Sequence, residues 1–168
     1  MKRRTLLTVG VGVATLLALA GGMIALVGPG RREGKLTEAG RALFAALAKA
    51  VLGDMLPIKV DAQQRALNAH LSRVEAAITG MPPSLQAEVD ELVTIACSAP
   101  GRLALVGLGT DWRTASTADV TAALQGMRVS RLSLRQQAFQ GLRELTNAAY
   151  FADPATWPAL GYPGQRAL

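Results

Sequence analysis

The chain has 168 residues, of which 50% are hydrophobic, and its 18 basic and 12 acidic side chains give a formal net charge of +6. Lys2, Arg3 and Arg4 supply three of those charges, and the other arginines are scattered without interleaved aromatic residues, which argues against nucleic-acid binding. A single cysteine, Cys97, excludes an internal disulfide, and the single histidine, His70, cannot form a metal site without carboxylates or thiolates near it.

The first predicted element is residues 1–28, which decide the compartment in which the remainder of the chain works. A basic start leads into an uncharged, apolar run with small residues near its end, which is the composition of a bacterial export signal. Two arginines, one free position and two large apolar residues fit the twin-arginine motif of a route that transports folded proteins. The residues that carry this motif are Arg3, Arg4, Leu6 and Leu7.

The sequence leaves two fates of this segment open. Ala18-Leu19-Ala20 is a small-x-small site at which a signal could be cut after Ala20, whereas the apolar run continues to Val27. Counted from Thr5 to Val27 the run has 23 residues, and a helix that spans a bilayer needs about 20. We therefore expect a cleaved signal or a retained anchor, with the domain in the periplasm or on the periplasmic face of the inner membrane.

The rest of the chain is predicted to form one domain, because about 140 residues are enough for a single hydrophobic core. Residues 29–36, rich in Gly, Pro and Arg, are expected to be a linker, and residues 37–168 the helical domain. Thr37 is placed to cap a first helix that runs to about Leu52 and is closed by Gly53. The apolar face of this helix is expected to consist of Leu43, Phe44, Leu47 and Val51.

Two further helices are predicted, each with apolar residues at offsets of three and four. Asp61 and Gln64 have the spacing of a capping box for the second helix, and Ser84, after the break at Pro82-Pro83, is expected to cap the third. Such offsets place side chains on one helix face, so we expect both stripes to be buried. They are Leu67, Leu71, Val74 and Ile78 in the second helix, and Leu85, Val89, Leu92 and Ile95 in the third.

Three more helical segments complete the predicted domain. The apolar residues 100–108 are interpreted as a short helix, because no second strand is available to pair with them. Ser116 and Asp119 open a fifth helix through about residue 127, and the longest helix spans about residues 130–151. This last helix is expected to bury Leu134, Ala138, Leu142, Leu145 and Ala149. The predicted fold is all-α: a single bundle of about five to six helices after the N-terminal signal or transmembrane helix, with an irregular aromatic C-terminal tail.

No residue pattern predicts a catalytic, metal or cofactor site in this chain. Cys97 lies in an apolar helical stretch, where a free thiol is most often a small buried hydrophobic group. His70 lies in a helix whose apolar stripe is made by its neighbours, so we expect a solvated surface histidine. Residues 29–36 and Gly107-Leu108-Gly109 come close to nucleotide-binding loops but lack glycines that those motifs require.

The C-terminal tail differs in composition from the helices. Residues 150–164 contain four of the chain's seven aromatic residues. Asp153 followed by Pro154 predicts a single helical turn, after which prolines and glycines hold the chain extended or turned. Such a tail either packs on its own bundle or docks on a partner, since aromatic anchors on a stiff segment lose little entropy on binding. The candidate partner-binding residues are Tyr150, Phe151, Trp157 and Tyr162.

Arginines of the longest helix form a second candidate surface. Arg131, Arg135 and Arg143 lie on faces other than its apolar stripe. Solvation of these guanidinium groups is the simpler interpretation, and contact with a partner protein is the alternative that would give them a function.

Together these segments resemble the gluconate 2-dehydrogenase subunit 3 family, the small subunits of bacterial membrane-bound, FAD-dependent sugar and alcohol dehydrogenases. The resemblance covers nearly the whole chain and includes the twin-arginine start, the first helix from Leu36-Thr37 to Met55-Leu56-Pro57, and the Met81-Pro82-Pro83 break. Its most specific part is the closing motif Tyr150-Phe151-Ala152-Asp153-Pro154-Ala155-Thr156-Trp157 with Gly161-Tyr162-Pro163-Gly164. The long uninterrupted apolar start departs from the family pattern.

The resemblance implies a subunit without an active site that binds a flavoprotein of the glucose-methanol-choline oxidoreductase type. In the family that flavoprotein lacks an export signal and crosses the membrane with the small subunit, which also assists its maturation. The expected partners are the FAD-containing dehydrogenase subunit, the twin-arginine translocase, the membrane through the N-terminal segment and a possible third subunit, a multihaem cytochrome with haem c. The chain itself is expected to hold no cofactor.

Two other functions are compatible with the residues. A stand-alone periplasmic or membrane-anchored helical protein, with a structural or envelope-stress role and no dehydrogenase partner, would have the same signal and bundle. An enzyme is the weakest alternative, because the acidic residues are scattered over separate helices without paired spacing. A neighbouring reading frame for a flavoprotein without an export signal would favour the dehydrogenase subunit.

Overall fold

The computed structural model describes residues 28–162, except for the side chains of residues 159 and 160. The described chain is an all-α bundle, which confirms the predicted fold class. The twin-arginine residues Arg3, Arg4, Leu6 and Leu7 and the possible cleavage site lie outside the described residues. Among the helices that are described, none is both long and apolar enough to cross a membrane.

The bundle has six helices within the described part of the chain. They are α1 (Glu38–Leu52), α2 (Val60–Thr79), α3 (Pro83–Cys97), α4 (Ala99–Gly101, continued by the π-helical stretch Arg102–Val106), α5 (Thr117–Arg128) and α6 (Ser133–Phe151). Short 3-10 turns, Gly53–Met55 and Pro154–Leu160, follow α1 and α6. The apolar segment predicted as helix is therefore helical, in α4.

The core lies around α1, which contacts α2, α3, α5 and α6. Leu43, Phe44 and Leu47 on α1 are fully buried, as predicted, whereas Val51 is half-buried. Full burial of one such side chain contributes roughly 1.5–3 kcal/mol. The predicted stripe of α2 is buried along its whole length, and so is that of α6 except for the half-buried Leu134.

Two of the predicted N-terminal helix caps are present in the structure. The hydroxyl of Thr37 accepts a hydrogen bond from the amide of Gly40 at the start of α1, and that of Ser116 accepts one from the amide of Asp119 at the start of α5. Gly53 ends α1 with a φ of 50°, a conformation that glycine adopts without a Cβ clash. These three predictions are confirmed.

Two predicted caps are wrong. Helix α2 begins at Val60, before Asp61, and no side chain caps its first turn, so the expected capping box of Asp61 and Gln64 does not form. Helix α3 begins at Pro83, which places Ser84 inside the first turn instead of at the cap. A proline at the first helical position has its φ already set for a helix and lacks only an amide that would be unpaired there.

Residues 29–36, expected as a linker, form a short antiparallel hairpin that packs on the bundle. Its strands are β1 (Arg31–Arg32) and β2 (Lys35–Leu36). Glu33 and Gly34 turn the chain with positive φ angles of 51° and 79°, the backbone conformation of a tight hairpin turn. The carboxylate of Glu75 on α2 accepts a 3.0 Å hydrogen bond from the amide of Leu36. The hairpin is thus fixed to α2 before α1 begins.

A second, smaller apolar cluster lies where the α1–α2 connection meets the end of α6. Leu52 at the end of α1 and Leu56 from the connection pack there with Leu67 of α2 and Tyr150 of α6, and Phe151 lies against them. This cluster joins the start of the aromatic tail to the loop before α2. The candidate site is built on it.

Candidate partner-binding surface

Tyr150 supports the start of the tail from within the core. Its side chain is buried, and its hydroxyl donates a 2.6 Å hydrogen bond to the carbonyl of Met55. Its ring packs edge-on against Phe151 with centroids 5.2 Å apart. Tyr150 is therefore placed to hold the α1–α2 loop beside the tail, whereas the half-buried Phe151 lies nearer the surface.

The tail is held to the bundle by polar contacts. The indole Nε1 of Trp157 donates a 2.8 Å hydrogen bond to the carbonyl of Phe151. The Asp153 carboxylate accepts from the amide of Ala155 at 2.9 Å and from Nη1 of Arg73 at 3.1 Å. The helical turn predicted from Asp153-Pro154 is present as the 3-10 turn. These bonds order the tail as far as Trp157.

Tyr162 is presented at the surface on this ordered base. Gly161 adopts a φ of 72°, and the amide of Tyr162 then donates to the carbonyl of Trp157 at 3.2 Å. The two aromatic rings lie 5.4 Å apart between centroids, yet Tyr162 is 48% exposed. Trp157 thus serves as a half-buried support for a tyrosine that faces solvent.

The α1–α2 loop adds exposed apolar side chains that the sequence analysis missed. Ile58 is 97% exposed, and Met55 and Val60 are exposed as well. Their exposure could have been predicted, because these apolar residues lie at or next to the turn between α1 and α2 and belong to no apolar stripe of a helix. Because Tyr150 joins this loop to the tail, we call Met55, Ile58, Val60, Trp157 and Tyr162 together the apolar tip.

The three candidate arginines of α6 have different surroundings. Arg135 is half-buried and donates to the carbonyls of Leu105 and Val106 at 2.8 and 3.1 Å, so it pairs carbonyls that the end of α4 leaves free. Arg131 and Arg143 are exposed. The solvation expected for the three therefore holds for Arg131 and Arg143, while Arg135 joins α6 to α4.

His70 is buried, which corrects the expectation of a surface histidine. Its side chain has 0% exposure, and neither ring nitrogen has a hydrogen-bond partner within the described residues. Burial, with a smaller contribution from the nearby Arg73 charge, lowers the pKa of His70 to about 4. His70 lies three residues after Leu67 and four before Val74, so the same periodicity that located the α2 stripe could have placed it there.

Cys97, at the end of α3, is half-buried against the core. Burial raises the pKa of its thiol to about 11, and the charge of Asp111 adds to this, while Arg102 acts in the opposite direction. A thiol with such a pKa is a poor nucleophile near neutral pH. This agrees with the packing role expected from the sequence.

Trp112 is a structural residue to which the sequence analysis assigned no role. It lies in the connection between α4 and α5, is buried, and donates a 2.8 Å hydrogen bond from Nε1 to the carbonyl of Ala96. Trp112 lies between helices, so helical periodicity could not predict its burial, and the large apolar ring was the only indication in the sequence.

Comparison with known proteins identifies no relative of this chain from which a function could be transferred. No protein-family model, no curated protein and no solved structure matches this chain. Between residues 28 and 162, no three His, Cys, Asp or Glu side chains are grouped so that they could hold a metal ion.

Proposed function

We propose that this chain is the non-catalytic small subunit of a membrane-associated, FAD-dependent dehydrogenase complex of the glucose-methanol-choline type. It carries the catalytic flavoprotein through twin-arginine export and assists the maturation and stability of that partner. The observation that supports this proposal best is the apolar tip, where Tyr162 and Ile58 are exposed on an ordered base. Two residues of the tip, Trp157 and Tyr162, belong to the closing aromatic motif on which the family resemblance chiefly depends.

The tip has the properties of a protein-docking surface. Its aromatic side chains are held in place by the hydrogen bonds of Trp157 and Asp153, so binding costs little additional entropy. Tyrosine and tryptophan are enriched among the residues that dominate binding energies. The exposed Ile58 and Tyr162 lie on two elements that the Tyr150–Met55 hydrogen bond connects, and exposed apolar side chains that group together are typical of an interaction site.

The position of the tip suits a subunit that joins a partner to an N-terminal segment. The hairpin contacts Thr79, the last residue of α2, through Arg31, whereas the tip includes Val60, the first residue of α2. A helix of this length spans about 30 Å. The first described residues therefore lie at the end of α2 opposite the tip, so the residues that precede them can engage the translocase or membrane while a partner occupies the tip.

A pull-down tests the proposal. The tagged full-length chain is purified from membranes of its own host, and the absorbance spectrum of the eluate is read for flavin. We expect flavin to co-purify with the chain and to be lost with Ile58→Asp/Tyr162→Ala, two changes at exposed positions. Arg32→Ala, an exposed change in the hairpin at the other end of α2, is the matched control. An eluate without flavin for the unchanged chain would instead support a stand-alone helical protein.

A further inference from the structure

An apolar cleft lies between α3, α4 and α6. The third predicted stripe faces it: Leu85, Val89, Leu92 and Ile95 are half-buried, while Val93 and Ala96 on another face of α3 pack in the core. The cleft has a volume of about 130 Å³. Its apolar lining includes Val89, Leu92, Ile95, Leu105, Leu134 and Ala138. An amphipathic stripe of α3 is thus left partly uncovered by the described chain.

The cleft has room for one large apolar side chain. An apolar cavity of about 150 Å³ is enough to bind benzene, which is close to the size of a leucine or phenylalanine side chain. On α6 the wall includes Gly141, where an added Cβ would lie 3.5 Å from Cδ2 of Leu92 and meet nothing closer. The absence of a side chain at Gly141 leaves space for the backbone of another segment to approach.

The lining is almost entirely apolar. One lining residue, Gln137, is polar, and its side-chain oxygen is closed off from solvent. The wall therefore favours an apolar side chain of an occupant, whose burial there removes apolar surface from water.

The α3 side of the cleft is acidic. Glu88 lines the cleft, and Glu91 follows three residues later on α3. Neither carboxylate has an ion-pair partner in residues 28–162. On the α6 side, the exposed Glu144 lies three residues after Gly141 and the exposed Arg131 three residues before Leu134, so their charges offset each other. Burial, followed by the charge of Glu88, raises the pKa of Glu91, as expected for a carboxylate without a neighbouring cation.

We infer that this cleft binds an amphipathic helix of a partner protein, with one large apolar anchor flanked by lysine or arginine side chains. The apolar lining takes the anchor, and the Glu88 and Glu91 carboxylates on α3 pair with the flanking cations. This is the helix-in-groove mode of peptide recognition. The acidic α3 side of the cleft disfavours anionic lipid and nucleic acid, which require positive charge. The inference concerns a surface separate from the apolar tip and does not depend on the proposed dehydrogenase complex.

Fluorescence anisotropy with a designed peptide tests the inference on the full-length chain. The probe is a labelled helical peptide of about 15 residues with leucines at i, i+4 and i+7 and lysines beside them. A matched peptide has glutamates in place of the lysines. We expect the lysine peptide to bind saturably and at least about tenfold more tightly than the glutamate peptide. Equal affinity for the two peptides, or no binding of either, would overturn the inference.

Two protein variants locate the binding in the cleft. Gly141→Leu places a side chain in the cleft and is expected to lower the affinity for the lysine peptide at least about tenfold. Gly126→Leu on α5 is the matched control, because an added Cβ there meets nothing within 4 Å. Glu88→Lys/Glu91→Lys should reverse the preference, so that the glutamate peptide binds better. Circular dichroism confirms that each variant is folded.

Other occupants give different results. Sedimentation that shows a dimer dissociated by Gly141→Leu would assign the cleft to a second copy of this chain and overturn the inference. Binding to the lysine peptide that Gly141→Leu leaves unchanged would also overturn it. Flavin co-purification reports on the apolar tip and is expected to be the same for Gly141→Leu and the unchanged chain, so the two proposals fail separately.

Discussion

Nη1 of Arg31 lies 2.9 and 3.0 Å from the two carboxylate oxygens of Asp90, across 59 residues of sequence. The Arg31 side chain is only 4% exposed, and its other terminal nitrogen donates to Thr79 at 3.0 Å. The pair fastens the hairpin to α2 and α3. The beginning of the described chain is therefore an integral part of the bundle, at the point where the N-terminal segment joins it.

Removal of the Asp90 carboxylate is expected to destabilise the domain. Asp90→Ala leaves the Arg31 guanidinium buried without its counter-charge. Breaking a fully buried pair costs about 3–5 kcal/mol of unfolding free energy, and we expect a smaller loss here because the Asp90 side chain is 41% exposed. Glu38→Ala is the control, because its pair with Arg113 joins two exposed side chains and is worth about 1 kcal/mol or less. Urea denaturation measures both variants. Equal stability of Asp90→Ala and the unchanged protein would mean that the hairpin is not fastened in solution.

Trp157 and Tyr162 are expected to respond differently to truncation. Trp157→Ala removes a half-buried ring and its hydrogen bond to Phe151, so the melting temperature should fall. Tyr162→Ala removes an exposed ring, and the change in stability should be within about 0.5 kcal/mol. The affinity for the proposed flavoprotein partner should instead fall by about 2 kcal/mol or more, as at a binding hot spot. A Tyr162→Ala chain with unchanged affinity would remove Tyr162 from the docking surface.

His70 is expected to make stability depend on pH between about 4 and 6.5. Its pKa is about 4 in the folded protein and 6.5 in the unfolded chain, so in this window the unfolded chain binds the additional proton. The stability due to neutral His70 is therefore complete above pH 6.5 and declines as the pH falls to 4, by about 3 kcal/mol in total. Measurement of the unfolding free energy at several pH values in this range gives the slope of stability against pH.

The matched variant for this prediction is His70→Leu. It removes a titrating group whose nitrogens have no partner among the described residues, and the two side chains have similar volumes. The pH dependence should flatten, and stability at pH 7 should rise, because an unpaired buried polar group is replaced by an apolar one. An unchanged slope in His70→Leu would show that other groups cause the acid sensitivity.

Cys97 is expected to resist alkylation in the folded protein. With a thiol pKa of about 11, about one molecule in a thousand carries the thiolate at pH 8, and the thiolate is the reactive form. Iodoacetamide should label the native protein far more slowly than the urea-unfolded chain, where the pKa returns to about 8.5. Similar labelling rates in the two states would contradict the packing role of Cys97.

Export is expected to depend on guanidinium groups at the N-terminus. Arg3→Lys/Arg4→Lys keeps the charge but should abolish delivery to the periplasm, because arginine and lysine differ in hydrogen-bond geometry. Cell fractionation of the tagged full-length chain measures the outcome, and Lys2→Arg is the control for a charged neighbour. Normal delivery of the double variant would indicate a secretory or anchoring segment, and would remove the main support for co-export.

The periodicity of apolar residues predicted most of the fold. It located the helices and the stripes of α1, α2 and α6, because offsets of three and four place side chains on one face and that face is excluded from water. Thr37, Ser116 and Gly53 act locally, within one turn of their helices, so their roles could also be predicted. The aromatic tail was recognised from composition, together with its turn at Asp153.

The tertiary structure decided what depends on contacts between distant residues. In the folded chain the ring of His70 lies near that of Tyr150, the Tyr150 hydroxyl donates a hydrogen bond to the carbonyl of Met55, and Arg31 pairs with Asp90. The tertiary structure also left the predicted stripe of α3 partly open, although this stripe, like the buried stripe of α2, has offsets of three and four. Periodicity defines which side chains share a face, whereas coverage of that face depends on which other elements pack there, and this is a property of the folded chain alone.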